Sequence, residues 1–186
     1  SGSNYPPYNI HKSDEKNYLG NLKKKMFSAN SYLTLKPNII FSHIDNRPEV
    51  ITQDNNNIVY HLTDNLEMIW ADSIQNKINS KVFTIDYYKN NKKQILFSTK
   101  NKIHSYDRKG NKLIGFPIQN PSESDIEHIN VIDYDKSKRY RLIIANKKGE
   151  IYFLDKNGKK LKGWNPMKMK EELVQEPMHY RISGRD

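Results

Sequence analysis

A stretch of about 47 residues occurs twice in succession in this chain, and this recurrence restricts the possible folds more than any other feature. Four segments recur in the same order at an offset of 47 or 48 residues: 82–88 with 129–135, 94–97 with 141–144, 102–107 with 150–155, and 110–116 with 158–164. Self-similarity at a fixed period is the signature of an architecture built from equivalent units. The sequence therefore predicts a repeat protein.

Each copy contains four short runs of β-branched, aromatic and aliphatic residues, separated by turn-forming residues. The turns include Lys109-Gly110-Asn111 and Lys156-Asn157-Gly158, and Gly and Asn are favoured there because they adopt positive φ with little strain. The pattern predicts strands at 82–87, 94–99, 102–107 and 112–116, with a matching set 47–48 residues later. Four strands in about 47 residues is the size of one propeller blade.

A weaker copy precedes these two. Its predicted strands are Ile39–Asp45, Glu49–Gln53, Ile58–Leu62 and Leu66–Trp70. In this copy Asp64 is aligned with Asp107 and Asp155 of the later copies. We therefore predict an all-β, β-propeller-like fold with about three four-stranded antiparallel blades plus flanking strands.

The same pattern predicts the domain organisation. Residues 1–37 are expected to form an N-terminal arm with one strand, Tyr32–Leu35, which ends at Lys36-Pro37. Residues 38–186 are expected to form the repeats. The predicted blades are about 38–72, 78–118 and 127–166, with a partial copy at 173–186.

The last turn of each copy resembles that of a known family. The spacing Asp-x-x-Gly-x-x-x-x-Gly-aromatic is similar to the blade repeat of quinoprotein-like propellers, which carry PQQ-type repeats. It occurs at Asp107, Gly110 and Phe116, and again at Asp155, Gly158 and Trp164, with Trp70 at the matching place in the first copy. The resemblance implies that these aromatic side chains pack between blades.

The repeats also resemble the C-terminal repeats of large bacterial proteins that have no assigned activity. This likeness implies a bacterial protein of the cell envelope. Propellers of this kind serve as cofactor enzymes or as scaffolds in outer-membrane assembly, so the fold by itself does not give the function.

An enzymatic role is not expected. Resemblance to quinone-dependent dehydrogenases implies a vicinal Cys pair at the cofactor, and this chain has no Cys. We therefore predict no cofactor and no catalytic residues. An enzyme with a site that the sequence does not reveal remains an alternative.

Asp133 and Asp135 are the only weak candidates for metal ligands, because with Ser137 they have the spacing that begins a Ca²⁺ loop. The loop then departs from the pattern: Lys136 and Lys138 add positive charge, and the expected Gly and final Glu are missing. We therefore predict no metal site, and expect these Asp side chains to cap backbone amides.

The formal net charge of +10 leaves two kinds of binding function open. The cations comprise 25 Lys and 6 Arg, and residues 101–186 carry +6. We expect a non-catalytic protein-interaction or scaffold module; the alternative is a nucleic-acid- or anion-binding module that uses the Lys-rich C-terminal half. Since Arg is preferred for bidentate phosphate contacts, the excess of Lys favours the first. No apolar run is long enough for a transmembrane helix.

Three copies are fewer than the typical 4–8 blades of a closed propeller. One way to close the ring is pairing of Tyr32–Leu35 with Met178–Ile182 in a composite blade. The other is a partner chain, self-association or further blades in a longer protein. We favour the second of these, since an open stack leaves exposed apolar faces and strand edges.

Overall fold

The computed structural model describes residues 26–163, 165–171, 173, 175 and 177–178. Within these residues the chain is all-β, with three four-stranded antiparallel sheets and no helix. None of this part of the chain forms a helix long and apolar enough to cross a membrane. The chain divides into two compact units, Ser1–Lys77 and Ile78–Asp186. The first unit contains one sheet and the second contains two.

In every sheet the strands follow one another in chain order, each paired with the next. The first sheet comprises β1 (Leu33–Phe41), β2 (Pro48–Asp54), β3 (Ile58–Leu62) and β4 (Met68–Ser73). The second comprises β5 (Phe83–Ile85), β6 (Gln94–Ser98), β7 (Lys102–Tyr106) and β8 (Ile118–Gln119). The third comprises β9 (Ile126–Ile132), β10 (Arg141–Asn146), β11 (Glu150–Asp155) and β12 (Met167–Lys168).

The second and third sheets pack face to face around one apolar cluster. Leu96 and Ile103 of the second sheet lie in it with Leu142, Ile144 and Leu154 of the third, and each is at most 1% exposed. The middle strands β6 and β10 are buried on both faces, which explains their uninterrupted apolar sequences.

The predicted position of the fourth strand is wrong in the second and third sheets. Instead of 112–116, the fourth strand of the second sheet is β8 at Ile118–Gln119, and in the third sheet it is β12 at Met167–Lys168. After a single bridge between Tyr106 and Lys112, the chain turns again, and the amide of Phe116 donates to the carbonyl of Leu113. Residues 113–116 therefore form this second turn and not the strand that the alternation of apolar and polar residues predicts.

The alignment of the first copy also needs correction, because Thr63 and not Asp64 is the counterpart of Asp107 and Asp155. Thr63 Oγ1 accepts hydrogen bonds from the amides two and four residues later, as do the carboxylates of Asp107 and Asp155. A hydroxyl and a carboxylate cap the same turn because both present an acceptor oxygen to it.

The expected break at Pro37 does not occur. β1 extends through it to Phe41, and the pairing with β2 shifts register between Leu35 and Asn38. Leu33 and Leu35 pair with Asp54 and Gln53 of β2. Residues 179–182, the other half of the proposed composite blade, lie outside the described residues.

Candidate interaction surface

Four turns lie at one end of the second unit. In an antiparallel meander the first and third connections share an end of the sheet, and both sheets of this unit are such meanders. Side-chain contacts join the turns of one sheet to those of the other. We call these residues the turn surface: 86–93, 107–112, 133–140 and 155–162.

The turn surface carries most of the chain's excess positive charge. It contains 13 Lys and Arg against five Asp, a net charge of +8 out of the whole chain's +10. Ten of the cations are exposed: Lys89, Lys92, Lys93, Lys109, Lys112, Lys136, Arg139, Lys159, Lys160 and Lys162. Residues far apart in the sequence thus form one strongly positive surface.

The repeat positions Asp107 and Asp155 cap their own turns. The Oδ1 of Asp107 accepts from the amides of Lys109 and Asn111 at 2.8 and 2.9 Å, and Asp155 makes the same two contacts one repeat later. Burial raises the pKa of Asp107, but hydrogen bonds from Asn111 and the turn amides outweigh it and hold the pKa below its ordinary value.

Gly110 and Gly158 occupy the matching place in these two turns, with φ of 87° and 84°. Glycine adopts this left-handed conformation without steric cost. The first sheet has Leu66 at the same place, with φ of 63°. The Asp and Gly of the repeat are therefore turn-forming residues in the structure, and they hold the backbone that presents the lysines.

Asp133 and Asp135 also lie on the turn surface, and both accept hydrogen bonds there. Asp133 accepts from the amide of Lys138 at 3.0 Å, while Arg139 donates to Asp135 Oδ2 at 2.5 Å. Hydrogen bonds from Ser137 and then Arg139 hold the pKa of Asp135 well below its ordinary value. No group of three or more metal-ligating side chains occurs within the described residues.

A partly buried ion pair fixes the two blades of the second unit to each other at this end. Lys138 Nζ donates to Asp86 Oδ2 at 2.5 Å and to Asn91 Oδ1 at 2.8 Å. Burial raises the pKa of Asp86, but hydrogen bonds from Lys138 and from the amides of Asn91 and Asn90 outweigh it, and the pKa lies below its ordinary value. No sequence motif indicates this pair, since its members lie in different copies of the repeat.

A second link joins Tyr87 to the last turn of the third sheet. Lys156 Nζ donates to the carbonyl of Tyr87 at 2.7 Å and lies 4.2 Å from the centre of its ring. The Tyr87 hydroxyl donates to Asn157 Oδ1 at 2.6 Å. With two independent links between the sheets, the turns are held as one preorganised surface.

The aromatic repeat positions have different surroundings. Trp70 lies on β4, is 8% exposed and contacts His61 edge-to-face at 5.5 Å. Phe116 is partly buried against the cluster between the second and third sheets, 5.9 Å from Tyr87. Trp164 lies outside the described residues. Trp70 and Phe116 thus contribute to packing rather than to the turn surface.

Sequence reasoning also missed a buried polar pair in the first sheet. His61 Nε2 and Glu49 Oε2 lie 2.8 Å apart, and the two residues are 0% and 4% exposed. They meet because His61 pairs with Ile51 in the β2–β3 register, which places Glu49 on the same face. Only the register reveals this contact, and no sequence motif signals it.

Comparison with solved structures identifies the fold. The structure of BBS1N in complex with ARL6DN aligns with a TM-score of 0.54 and 14% identity over 82% of this chain and 47% of that one. The Pan2 WD40 domain of Neurospora crassa aligns with a TM-score of 0.53 and 14% identity over 74% of this chain and 40% of that one. BamB from Moraxella catarrhalis aligns with a TM-score of 0.50 and 14% identity over 73% of this chain and 37% of that one.

The fold is propeller-like. The predicted all-β class with four-stranded antiparallel blades is therefore confirmed. The chain spans less than half the length of each of these structures. Its sequence matches no protein-family model, and the search of curated proteins found no match.

Proposed function

We propose that this chain is a non-catalytic protein-interaction module whose turn surface binds an acidic segment of a partner protein. The observation that carries the proposal is the net charge of +8 on the turn surface, gathered from four separate turns. A positive surface steers a negatively charged partner toward it and disfavours positively charged ones.

The contacts within the turns support this role. All five carboxylates of the turn surface accept hydrogen bonds from their own turns, and Asp86 and Asp135 also pair with cations. Ten cationic side chains are exposed; among them Arg139 pairs with Asp135, and Lys112 and Lys160 lie over the rings of Tyr106 and Tyr152. The arrangement is suited to holding carboxylates of another chain, because the local acids are already engaged.

The solved structures support a protein partner at the level of the fold. BBS1N, whose fold this chain shares in part, was solved in complex with ARL6DN. We also propose that the blades are PQQ-type repeats, on the strength of the Asp-capped turns with Gly110 and Gly158. Asp107 and Asp155 act in these repeats as turn caps.

Binding to a poly-glutamate peptide tests the proposal. We expect the wild-type protein to bind it, and the triple variant Lys92→Glu, Lys93→Glu, Lys159→Glu to bind about tenfold or more weakly, since close charge pairs at interfaces couple by more than about 1.4 kcal/mol. The matched control is Lys148→Glu, Lys168→Glu, Lys170→Glu, which changes the formal charge equally with exposed lysines outside the turn surface. Equal losses in both variants would show that only net charge matters and would contradict the proposal.

A nucleic acid is the second candidate partner for the same surface. It is favoured by Tyr88, which lies among the lysines and is 49% exposed, because an exposed ring can stack on a base. Against it, 11 of the 13 cations are Lys, which lacks the bidentate fork of Arg. Tighter binding of single-stranded DNA than of poly-glutamate at equal salt, with affinity falling steeply as salt rises, would establish this candidate and overturn the first.

A further inference from the structure

We infer that Tyr88 is the anchor point of the turn surface, and that the acidic segment it binds carries an aromatic side chain that packs on this ring. The inference rests on the proposed function and deepens it, because it names a feature of the partner that charge alone does not require. The observation behind it is one exposed, firmly held ring among exposed lysines.

Tyr88 is the aromatic side chain that the turn surface presents to solvent. It is 49% exposed, whereas Tyr87, Tyr134 and Tyr140 of the same surface are buried or partly buried. Exposure of a single ring is common on protein surfaces. What distinguishes Tyr88 is how firmly its ring and backbone are held.

Tyr87 supports the Tyr88 ring from the protein side. The two rings meet edge-to-face with their centres 5.0 Å apart, and Phe116 contacts Tyr87 in the same way at 5.9 Å. Tyr87 is fixed in turn by the third sheet, because its hydroxyl donates to Asn157 Oδ1 at 2.6 Å and Lys156 Nζ lies 4.2 Å from its ring centre. Tyr88 therefore rests on a ring that both blades of the second unit hold in place.

The backbone on either side of Tyr88 is constrained as well. The amide of Tyr87 donates to Gln94 Oε1 at 2.7 Å, and the amide of Lys89 donates to the carbonyl of Asp86 at 3.2 Å. The Asp86 carboxylate holds the rest of the turn through its contacts with the turn amides and the neighbouring blade. A side chain presented on such a turn loses little conformational freedom when a partner covers it, which favours binding.

Exposed lysines follow Tyr88 within its own turn. Lys89, Lys92 and Lys93 are all exposed, and the carboxylate of the turn, Asp86, is already paired with Lys138. Cations often pack on aromatic faces, but the positive charge around this ring disfavours a cationic occupant. The partner that fits therefore places an uncharged side chain on Tyr88 and carboxylates beside the lysines.

An aromatic side chain suits this place better than an aliphatic one. Aromatic pairs in edge-to-face or offset geometry bind more tightly than the area they bury accounts for. Tyr is also enriched among the residues that dominate interface affinity, which lie inside a rim of contacts that excludes water. Here the lysines of the turn and the carboxylates of the partner would form that rim around Tyr88.

Calorimetric titration of the full chain with two peptides of equal charge tests the inference. One is a poly-glutamate peptide with a single central Phe, and the other has Ala at that position. We expect the wild-type protein to bind the Phe peptide about tenfold more tightly, since the added ring is buried against Tyr88 while the carboxylates are unchanged.

Variants of Tyr88 show whether this ring causes the preference. Tyr88→Ala is expected to abolish the preference and to leave the affinity for the Ala peptide unchanged, whereas Tyr88→Phe keeps the ring and the preference. Tyr32→Ala is the matched control, because Tyr32 is 54% exposed and lies outside the turn surface. Circular dichroism shows whether each variant keeps its β structure.

The outcomes separate this inference from the proposed function. Equal affinity of the wild-type protein for the two peptides overturns the inference and leaves the proposed function intact, whereas binding of neither peptide overturns both. A preference that persists in Tyr88→Ala, or that is lost equally in Tyr32→Ala, also overturns the inference. Tighter binding of single-stranded DNA than of the Phe peptide at equal salt would assign Tyr88 to base stacking instead.

Discussion

Lys138 and Asp86 join the first turns of two successive blades through a contact of 2.5 Å between Nζ and Oδ2. The side chains are 34% and 9% exposed, so the pair lies mostly out of solvent. Asp86 also accepts from the amides of Asn90 and Asn91. One carboxylate therefore organises its own turn and fastens it to the neighbouring blade.

Asp86→Ala is expected to lower the free energy of unfolding by about 3 kcal/mol, since hydrogen bonds to charged groups contribute about 1.5–3 kcal/mol and Lys138 loses its partner. Urea denaturation measures this change. Asp135→Ala is the control, because the Asp135–Arg139 pair is exposed and local to one turn. A loss no larger for Asp86→Ala than for Asp135→Ala would show that the inter-blade pair does not stabilise the unit.

The low pKa of Asp86 also predicts a pH dependence. A carboxyl with a lowered pKa in the folded state contributes stability above its unfolded pKa of about 3.9 and loses that contribution as the pH falls through the folded value. The free energy of unfolding is therefore expected to decrease as the pH falls below about 4, and to decrease less steeply in Asp86→Asn. Urea midpoints across this range measure both slopes. Parallel curves for the two proteins would show that Asp86 does not account for the pH dependence of stability.

Gly158 and Gly115 have nearly equal φ, 84° and 85°, but different surroundings. A Cβ on Gly158 would lie 2.6 Å from Ile118 Cγ2, whereas one on Gly115 would meet nothing within 4 Å. We expect Gly115→Ala to cost about 1 kcal/mol from backbone strain alone, and Gly158→Ala about 3 kcal/mol from strain plus overpacking. Thermal unfolding of both variants measures the two losses of stability. Equal losses would mean that the Ile118 side chain moves away from the new Cβ without a measurable loss of stability.

Trp70→Ala is expected to destabilise the first unit by about 3–5 kcal/mol, the range for truncation of a large buried aromatic side chain. Trp70 is 8% exposed and packs against His61. The repeat predicts a loss of the same size for Trp164→Ala. Chemical denaturation measures each loss, and one below about 1 kcal/mol would mark that Trp as a binding residue instead of a packing residue.

The sequence predicted the local structure most successfully where a capping residue defines the end of a strand. The third strand of the first copy was predicted at its observed bounds, Ile58–Leu62, because apolar residues run between two capped turns. The strand prediction failed at 112–116, where the alternation of apolar and polar residues continues but a second turn follows the first. Periodicity does not detect that turn, since its residues also fit a strand.

By itself, therefore, the sequence determined the repeat, the all-β class and the turns at Asp107 and Asp155, because caps and positive-φ positions act within a few residues. Only the tertiary structure decided that Lys138 meets Asp86, and that four turns combine into one positive surface. It also decided which apolar residues stay uncovered, such as Ile39 and Phe41. These properties depend on strand register and on packing between sheets, which bring together residues about 50 positions apart and leave no local pattern in the sequence.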